Sequence, residues 1–467
     1  MPFNFTLPTT STFSFAQHFT SSTHPSLLLA ATTHRSVVRD ALKKHKRLAP
    51  ASHPAHLPTV LDALNEYLPY VLTLRSALSS GTVSGVPVAL TTTSTPLSFE
   101  WRPTLSSPSP GRPEPARLKL SHLDAEVLFV LTTTAYVYTL LSTTALSASQ
   151  PNYQIVTKHL LTAASFHKHI STTILPLPPP SPKTSTPELH PQTHTALSSL
   201  ALSSATLLAI AKDDPYPSLT KPSANPTDYL IAAPPPPPHV RALLLARLCI
   251  AASAHAATAA ASLSSLQKPL PALPAYATSL SRAAKARACR FLGLDAERTG
   301  EVGTALGYLS AARTCLPSSS STSSSSSSKL LTKPLRKDST ASSGPATARE
   351  EVEERRVLAF LEQKWSKTND TVFNQRVAER EPLLAGLPGG REVCVVPKWD
   401  TLGGGVLAGE VLGELKGMAT EDGEGIGGVG GEEEEEDSGE ESDGDGGGGA
   451  GKGKVPGGWE GGGNVYY

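Results

Sequence analysis

Cysteine is scarce in this chain: Cys249, Cys289, Cys315 and Cys394 are the four, and no two are close in sequence. That excludes a disulfide framework and fits a reducing compartment. Two of them lie on apolar helical patterns, where cysteine behaves as a small hydrophobe. A secretory leader is also missing, since the opening MPFNFTLPTT has no basic start and no apolar run. Pro2 stands where N-myristoylation requires glycine, and the terminal VYY is no prenylation box. Aromatics make up only 6% and apolar residues 39%, while prolines number 41 and glycines 36, so much of the length is loop or linker. No segment gathers a nucleophile, an acid–base pair or a metal-ligand set. What distinguishes the chain is architecture, which points to a docking platform.

Net charge is also absent, at +0, but the balance is uneven. Residues 410–467 hold 16 acidic and 3 basic residues, so they carry −13 and the preceding body +13. A basic body favours an acidic partner or a membrane surface. The longest uncharged apolar run, VLFVLTTTAYVYTLLSTTALS from Val127, is about long enough to span a bilayer. Its threonines dilute it, and a buried core helix is the better reading.

Apolar residues at helical spacing (Val60, Leu61, Leu64, Leu68, Val71, Leu72) predict helix within 22–78, with Pro69 kinking or restarting it. ALKKHKRLA supplies a basic surface face. VPVALTTTSTPLSFEW (86–101) alternates around a Thr-Ser-Thr-Pro turn and predicts a hairpin. Helices are expected over 120–148, 153–175, 195–212, 240–266, 276–298 and 301–316. Low-complexity inserts at about 176–191, 213–238 and 317–343 interrupt them, rich in proline or serine and unable to bury a core. A charged helix follows over 349–368, its start crowded by Glu350, Glu351, Glu353 and Glu354 and its end by Lys364 and Lys367, as the helix dipole favours. From about Gly403 the chain is Gly/Glu/Asp-rich and expected to be disordered.

Two segments are diagnostic. FLGLDAERTGEVGTALGYLSAARTCL (291–316) reads as helix, glycine turn and a second helix, in which Gly303 and Gly307 permit close approach. KWSKTNDTVFNQRV (364–377) ends a helix at Asn-Asp and continues extended. These segments, with LSFEW and LSHLDAEVLFVLTTTAYVYTLLST, resemble in order and spacing the Bro-type domain of the Alix-like endosomal-sorting adaptors, from the N-terminus to about Pro397. Ala378 departs from the family, which usually has proline there.

The resemblance implies a mostly α-helical, curved domain over 1–400 with a tetratricopeptide-like core and a small β-hairpin or sheet, then a disordered tail over 401–467. It implies no enzyme, no catalytic residue, no cofactor and no metal. Within the family the chain most resembles the fungal members of alkaline ambient-pH signalling, which lack the V-shaped coiled-coil arms. A general endosomal cargo-sorting adaptor is the alternative. The implied partner is the C-terminal helix of the ESCRT-III core subunit, with a PalA-type adaptor and other pH-pathway proteins as further partners. The implied location is cytoplasmic, recruited through partners to cortical, plasma-membrane or endosomal ESCRT sites. Residues carried over for the partner groove are Leu207, Leu208, Leu244, Leu245 and Leu248. Ordinary core packing is the competing reading for each. Leu243, Leu244 and Leu245 are consecutive, so they point in different directions and one should be exposed.

Other signals are weak. Tyr216, Pro217 and Leu219 spell YPxL in a proline-rich insert, where a plain turn competes. GGGGAGKGK (446–454) mimics a phosphate loop but has Gly453 in place of Ser/Thr. His167, His169, His190 and His194 read as solvated rather than metal-bound. The glycosylation triplets at Asn4 and Asn369 lack a secretion signal, and the serines at 318–328, 438 and 442 merely permit phosphorylation. A nucleic-acid surface is disfavoured, because the basic residues are scattered without interleaved aromatics.

Overall fold

A computed structural model describes residues 2–108, 114–177, 186–220, 241–266, 269–316, 344–399 and 405–417. The expected insert at 317–343 lies outside these residues, as do 178–185 and 221–238 of the other two, the mimic at 446–454, the serines at 318–328, 438 and 442, and the tail from 418.

Helices dominate. After a short turn, α1 (Phe15–His18), comes α2 (Pro25–Arg47), which starts on proline and ends on Lys44, His45, Lys46 and Arg47, the order the helix dipole favours. The long α3 (His53–Ser80) runs through Pro69 as one helix, so of the kink or restart expected there the restart does not occur. Leu68, Val71 and Leu72 beside the proline are buried, and their packing offsets the missing hydrogen bond. In α4 (Leu123–Leu146) residues 127–131 are all fully buried. Thr133, Thr134 and Thr139 satisfy their hydroxyls within the helix, Thr134 and Thr139 donating to the carbonyls of Val130 and Ala135 at 2.8 and 3.0 Å. By length and composition α4 is one of three helices among the described residues that could cross a membrane, yet 78% of its apolar window is buried inside the body.

Asn152 caps α5 (Tyr153–His169) by accepting from the N–H groups of Gln154 and Ile155, and a wide π turn, Ile170–Ile174, extends it. Then follow α6 (Pro191–Asp213), α7 (Tyr216–Leu219), α8 (Ala242–Ser264), α9 (Ala272–Arg298), α10 (Val302–Cys315), α11 (Gly344–Thr368), α12 (Arg380–Ala385) and α13 (Gly409–Gly417). From α2 to α11 the long helices pack each on the next, one main apolar core running through the array.

The β structure differs from the single predicted hairpin. Residues 86–101 do supply strands, β3 (Val86–Pro87), β4 (Leu90–Thr92) and β5 (Phe99–Trp101), but none pairs across the Thr-Ser-Thr-Pro turn. Antiparallel pairs join β1 (Phe19–Ser21) to β4, β2 (Thr82–Val83) to β3, and β5 to β6 (Leu118–Leu120). The true hairpin turns at Ser84 and Gly85, with φ of 49° and 80°, the backbone that a two-residue turn between twisted strands requires.

Two buried arginines tie distant segments together. Arg35 Nε reaches Glu126 at 2.9 Å, and its other nitrogens reach the Ser11 carbonyl and the Thr10 hydroxyl, both at 2.7 Å. Tyr67 also donates to Glu126, at 3.0 Å. Arg290 lies between Glu354 (2.6 Å) and Asp214 (2.5 Å), binding α9 to α11 and to the end of α6. Burial alone would pull down the Arg290 pKa; Glu354 and Asp214 reverse that and raise it. Neither centre was evident from sequence, because a charged residue on a helix ordinarily faces water.

Within the expected disordered segment 401–467, residues 405–417 form α13 and its approach. Leu407 and Leu412 are buried, and the Leu407 N–H donates to Thr73 Oγ1 at 2.9 Å while its carbonyl accepts from Ser84 at 3.1 Å. Val411, Leu412 and Leu415 give this short stretch one apolar helical face against the body.

Candidate partner-binding surface and the family

The two diagnostic segments meet. Asn369 and Gln375 close the π turn Asn369–Phe373: Asn369 Oδ1 accepts from the Gln375 N–H at 3.0 Å, and Asn369 Nδ2 donates to the Gln375 carbonyl at 2.9 Å. The Gln375 side chain then bridges to the turn before α10. Its Nε2 donates to the Gly300 carbonyl at 2.8 Å and its Oε1 accepts from the Gly303 N–H at 2.9 Å. What comes close to Gly303 is this extended segment, and Gly307 meets both the segment and Leu383 of the helix α12. A Cβ on Gly303 would strike the Arg376 carbonyl, and one on Gly307 would lie 2.6 Å from the Ala378 carbonyl. The departure at 378 has a use here: the Ala378 N–H, which proline would lack, donates to the Gly303 carbonyl at 3.2 Å.

The five leucines lie on α6 and α8, which are neighbours joined by Ser203 Oγ donating to the Ala252 carbonyl at 2.8 Å. Leu207, Leu208, Leu245 and Leu248 are buried; Leu244 is half-buried. Of the three consecutive leucines the exposed one is Leu243, at 47%, which is not among the five residues that the resemblance implies. Leu243, Leu244 and half-buried Ile250 are the large apolar side chains α8 offers to solvent. Leucine identity does not distinguish wall from surface, so helix phase is the sequence signal for this; four of the five residues lie on the core phase and Leu244 at its edge.

Part of the same helix pair carries a strap formed by residues 387–399. The Arg391 N–H donates to the Arg247 carbonyl and Arg247 Nε to the Gly389 carbonyl, each at 3.0 Å. Gly390 crosses close to Ala251, where a Cβ would come within 3.0 Å of backbone. Glu392 pairs with His255 at 3.4 Å, and Cys394 joins Val156, Leu160, Ala205 and Leu208 in a small apolar cluster. Trp399 stacks on His169 at 4.1 Å.

Tyr216 of the YPxL match is not on an open loop. It is 7% exposed, with Arg290 over its ring at 5.8 Å, and Asp214 accepts from its backbone N–H at 3.2 Å. Pro217 and Leu219 complete the single turn α7 and are half-buried. The Arg290 centre holds this part of the expected insert in place. The histidines also depart from expectation. His167 and His194 are buried, their Nδ1 atoms 3.1 Å apart, and His194 Nε2 faces the Glu188 carbonyl at 3.0 Å. Burial lowers both, His194 to about 4, so both are neutral near pH 7. They satisfy each other inside the core and are not solvated.

Residues 84–385 match the BRO1-like domain family. The pH-response regulator protein palC of Emericella nidulans is 37% identical over 450 residues, covering 84% of this chain and 88% of the relative. Three solved structures share the fold at low identity. A Bro1 domain studied for endosomal targeting aligns with TM-score 0.52 and 13% identity, covering 89% of this chain and 95% of its own. The ALIX BRO1–CHMP4C complex aligns with 0.52 and 15%, covering 85% and 94%. ALIX in complex with the SIVmac239 PYKEVTEDL late domain aligns with 0.53 and 15%, covering 85% of this chain and 49% of ALIX. With the paired diagnostic segments, the stacked helices and this breadth of match, the chain belongs to the BRO1-like domain family, with a fungal pH-response regulator among its relatives.

Proposed function

We propose that the protein is a non-enzymatic adaptor in fungal alkaline ambient-pH signalling, which binds the C-terminal helix of the ESCRT-III core subunit and helps assemble the signalling complex. The observation that carries this is the 37% identity to palC across most of both chains. The ALIX BRO1–CHMP4C complex, in which the same fold meets an ESCRT-III subunit, supports the choice of partner. Helix-in-groove recognition needs an exposed apolar strip at helical spacing. On α8 that strip is Leu243, Leu244 and Ile250, with Leu207, Leu208, Leu245 and Leu248 as the wall beneath. A PalA-type adaptor and other pathway proteins are further proposed partners. Recruitment from the cytoplasm to cortical or endosomal ESCRT sites runs through these partners. The second reading, a general endosomal cargo-sorting adaptor, draws on the likeness to the Bro1 domain studied for endosomal targeting.

The test is a titration of the full chain with a peptide of the ESCRT-III subunit's C-terminal helix, with Leu244→Asp alongside and circular dichroism as the fold control. Saturable wild-type binding that weakens about 30-fold or more on substitution is expected, the scale of a hot-spot residue. Wild-type binding untouched by Leu244→Asp moves the site elsewhere. No wild-type binding removes the partner.

A further inference from the structure

The row of α8 that begins at the exposed Leu243 does not stay open along the helix. Leu243, Arg247, Ala251 and His255 follow one another at steps of four, so they share one face. From Arg247 onward the strap lies on that face. Arg247 donates to the Gly389 carbonyl and accepts from the Arg391 N–H, Gly390 presses on Ala251, and Glu392 pairs with His255. The chain then passes to α6 and α5, where Cys394 packs with Leu208, Ala205, Val156 and Leu160. Leu208 is one of the five leucines of the candidate groove. What stays uncovered at the start of this seat is Leu243, with half-buried Leu244 beside it.

The strap is firm at its ends and thin between them. Leu387 and Trp399 pack against the main core. Between them Cys394 is the one buried side chain, while residues 389–393 and Val395 are exposed, Val393 at 53% and Val395 at 79%. Pro388, Gly389 and Gly390 precede this middle part and Pro397 follows it. The two glycines give the chain freedom to turn there.

We infer that residues 389–396 occupy part of the seat of the partner helix, and that the partner binds by lifting them away. This rests on the partner reading above and adds the regulation of the same groove. An extended chain and a helix about 10 Å across have no room on one row of α8, so the two occupants exclude each other. With the strap down, the seat is closed beyond Leu243 and Leu244. With it raised on its two anchored ends, apolar surface continues through Ala251 to Leu208 and Ala205. The closed strap lowers the partner's apparent affinity in proportion to the fraction of molecules that stand open. Lifting also releases the Arg247 guanidinium from the Gly389 carbonyl, so a partner helix with a carboxylate between its apolar anchors suits the row best.

The experiment titrates three forms of the full-length chain with a peptide of the ESCRT-III subunit's C-terminal helix, with circular dichroism as the fold control. The first is wild type. The second is Gly390→Val, whose side chain meets Ala251 and pushes the strap off; φ at 390 is not left-handed, so the effect is steric. The third, Ala251→Cys with Gly390→Cys, ties the strap down by a disulfide, because a Cβ at 390 lies 3.2 Å from that of Ala251. Gly390→Val is expected to bind about tenfold tighter than wild type, and the oxidised double variant at least about tenfold weaker, with dithiothreitol restoring binding in the same sample. In wild type, saturating peptide should speed iodoacetamide labelling of Cys394 at least about tenfold and leave the buried Cys249 untouched. Binding seen in Gly390→Val but not in wild type supports the same conclusion. Equal binding by the oxidised and reduced double variant, or peptide that binds wild type without speeding the labelling of Cys394, overturns the strap as a gate and leaves the partner reading standing. A folded double variant that forms no cross-link contradicts the strap's seat on α8. Peptide that binds none of the three forms removes the partner, and the gate with it.

Discussion

The junction between 300–307 and 369–378 and the leucine pair on α6 and α8 are built from opposite materials. At the junction, glycines and carboxamides meet backbone, and each contact admits almost no other residue: Gly303 has no room for a Cβ, and Gln375 uses both ends of its amide. On α6 and α8, leucines of one kind serve as core, half-buried wall and open surface within three consecutive positions, 243–245. Where steric and hydrogen-bond demands are strict, a residue declares its neighbour. Where only apolar volume is demanded, it does not.

The contrast is broken most severely on the leucine side. Leu245→Asp places an unpaired carboxylate at a buried site and is expected to cost about 4 kcal/mol of stability, whereas Leu243→Asp, at an exposed position, leaves stability within about 0.5 kcal/mol. Urea denaturation of both variants compares them directly; equal losses would mean the phase of α8 is not as described. The His167–His194 pair, at the start of the same α6, gives the next effect. Both are held below the ordinary value of 6.5, His194 at about 4, so the unfolded chain takes up their protons first as pH falls. Their contribution is whole above pH 6.5 and is lost as pH falls from 6.5 toward 4, at about 1.4 kcal/mol per unit for each histidine. His194→Asn should flatten the stability profile across that window, and an unchanged slope would contradict a neutral buried pair. On the junction side, Gly303→Ala forces the extended segment at Arg376 away and is expected to cost about 2 kcal/mol, read as a lower midpoint in thermal melting. The smallest effect belongs to Ala378→Pro, which deletes the donor to the Gly303 carbonyl and costs about 1 kcal/mol; a neutral or stabilising result would show that this bond contributes nothing.

The same contrast explains what could be read from the chain. Helix positions from 120 to 316 were legible because apolar spacing repeats at the helical period, and the junction was legible through its small residues. The pairing of β4 and β5 was not, because a period-two pattern states that a stretch is a strand without naming its partner. The Arg35 and Arg290 centres escaped because their carboxylates are 91, 76 and 64 residues away along the chain. The exposed Leu243 was anticipated as one of three but not singled out, since a shift of one residue turns a helix by about 100°.

The path of the chain after α12 bears on how the protein unfolds. A row of helices that touch only their neighbours behaves as a one-dimensional stack whose ends can fray independently. Here residues 387–399 travel back over α8, α6 and α5, and 405–417 continue to α3, the β2–β3 hairpin and α2. The last described segment thus touches nearly the first, with Leu407 bonded to Thr73 across 334 positions. Such a return converts a stack into a ring of dependencies. It raises contact order, slows the search for the folded state, and makes loss of either end felt at the other. Native-state hydrogen exchange should then find α2 and α8 opening together rather than in sequence from one terminus.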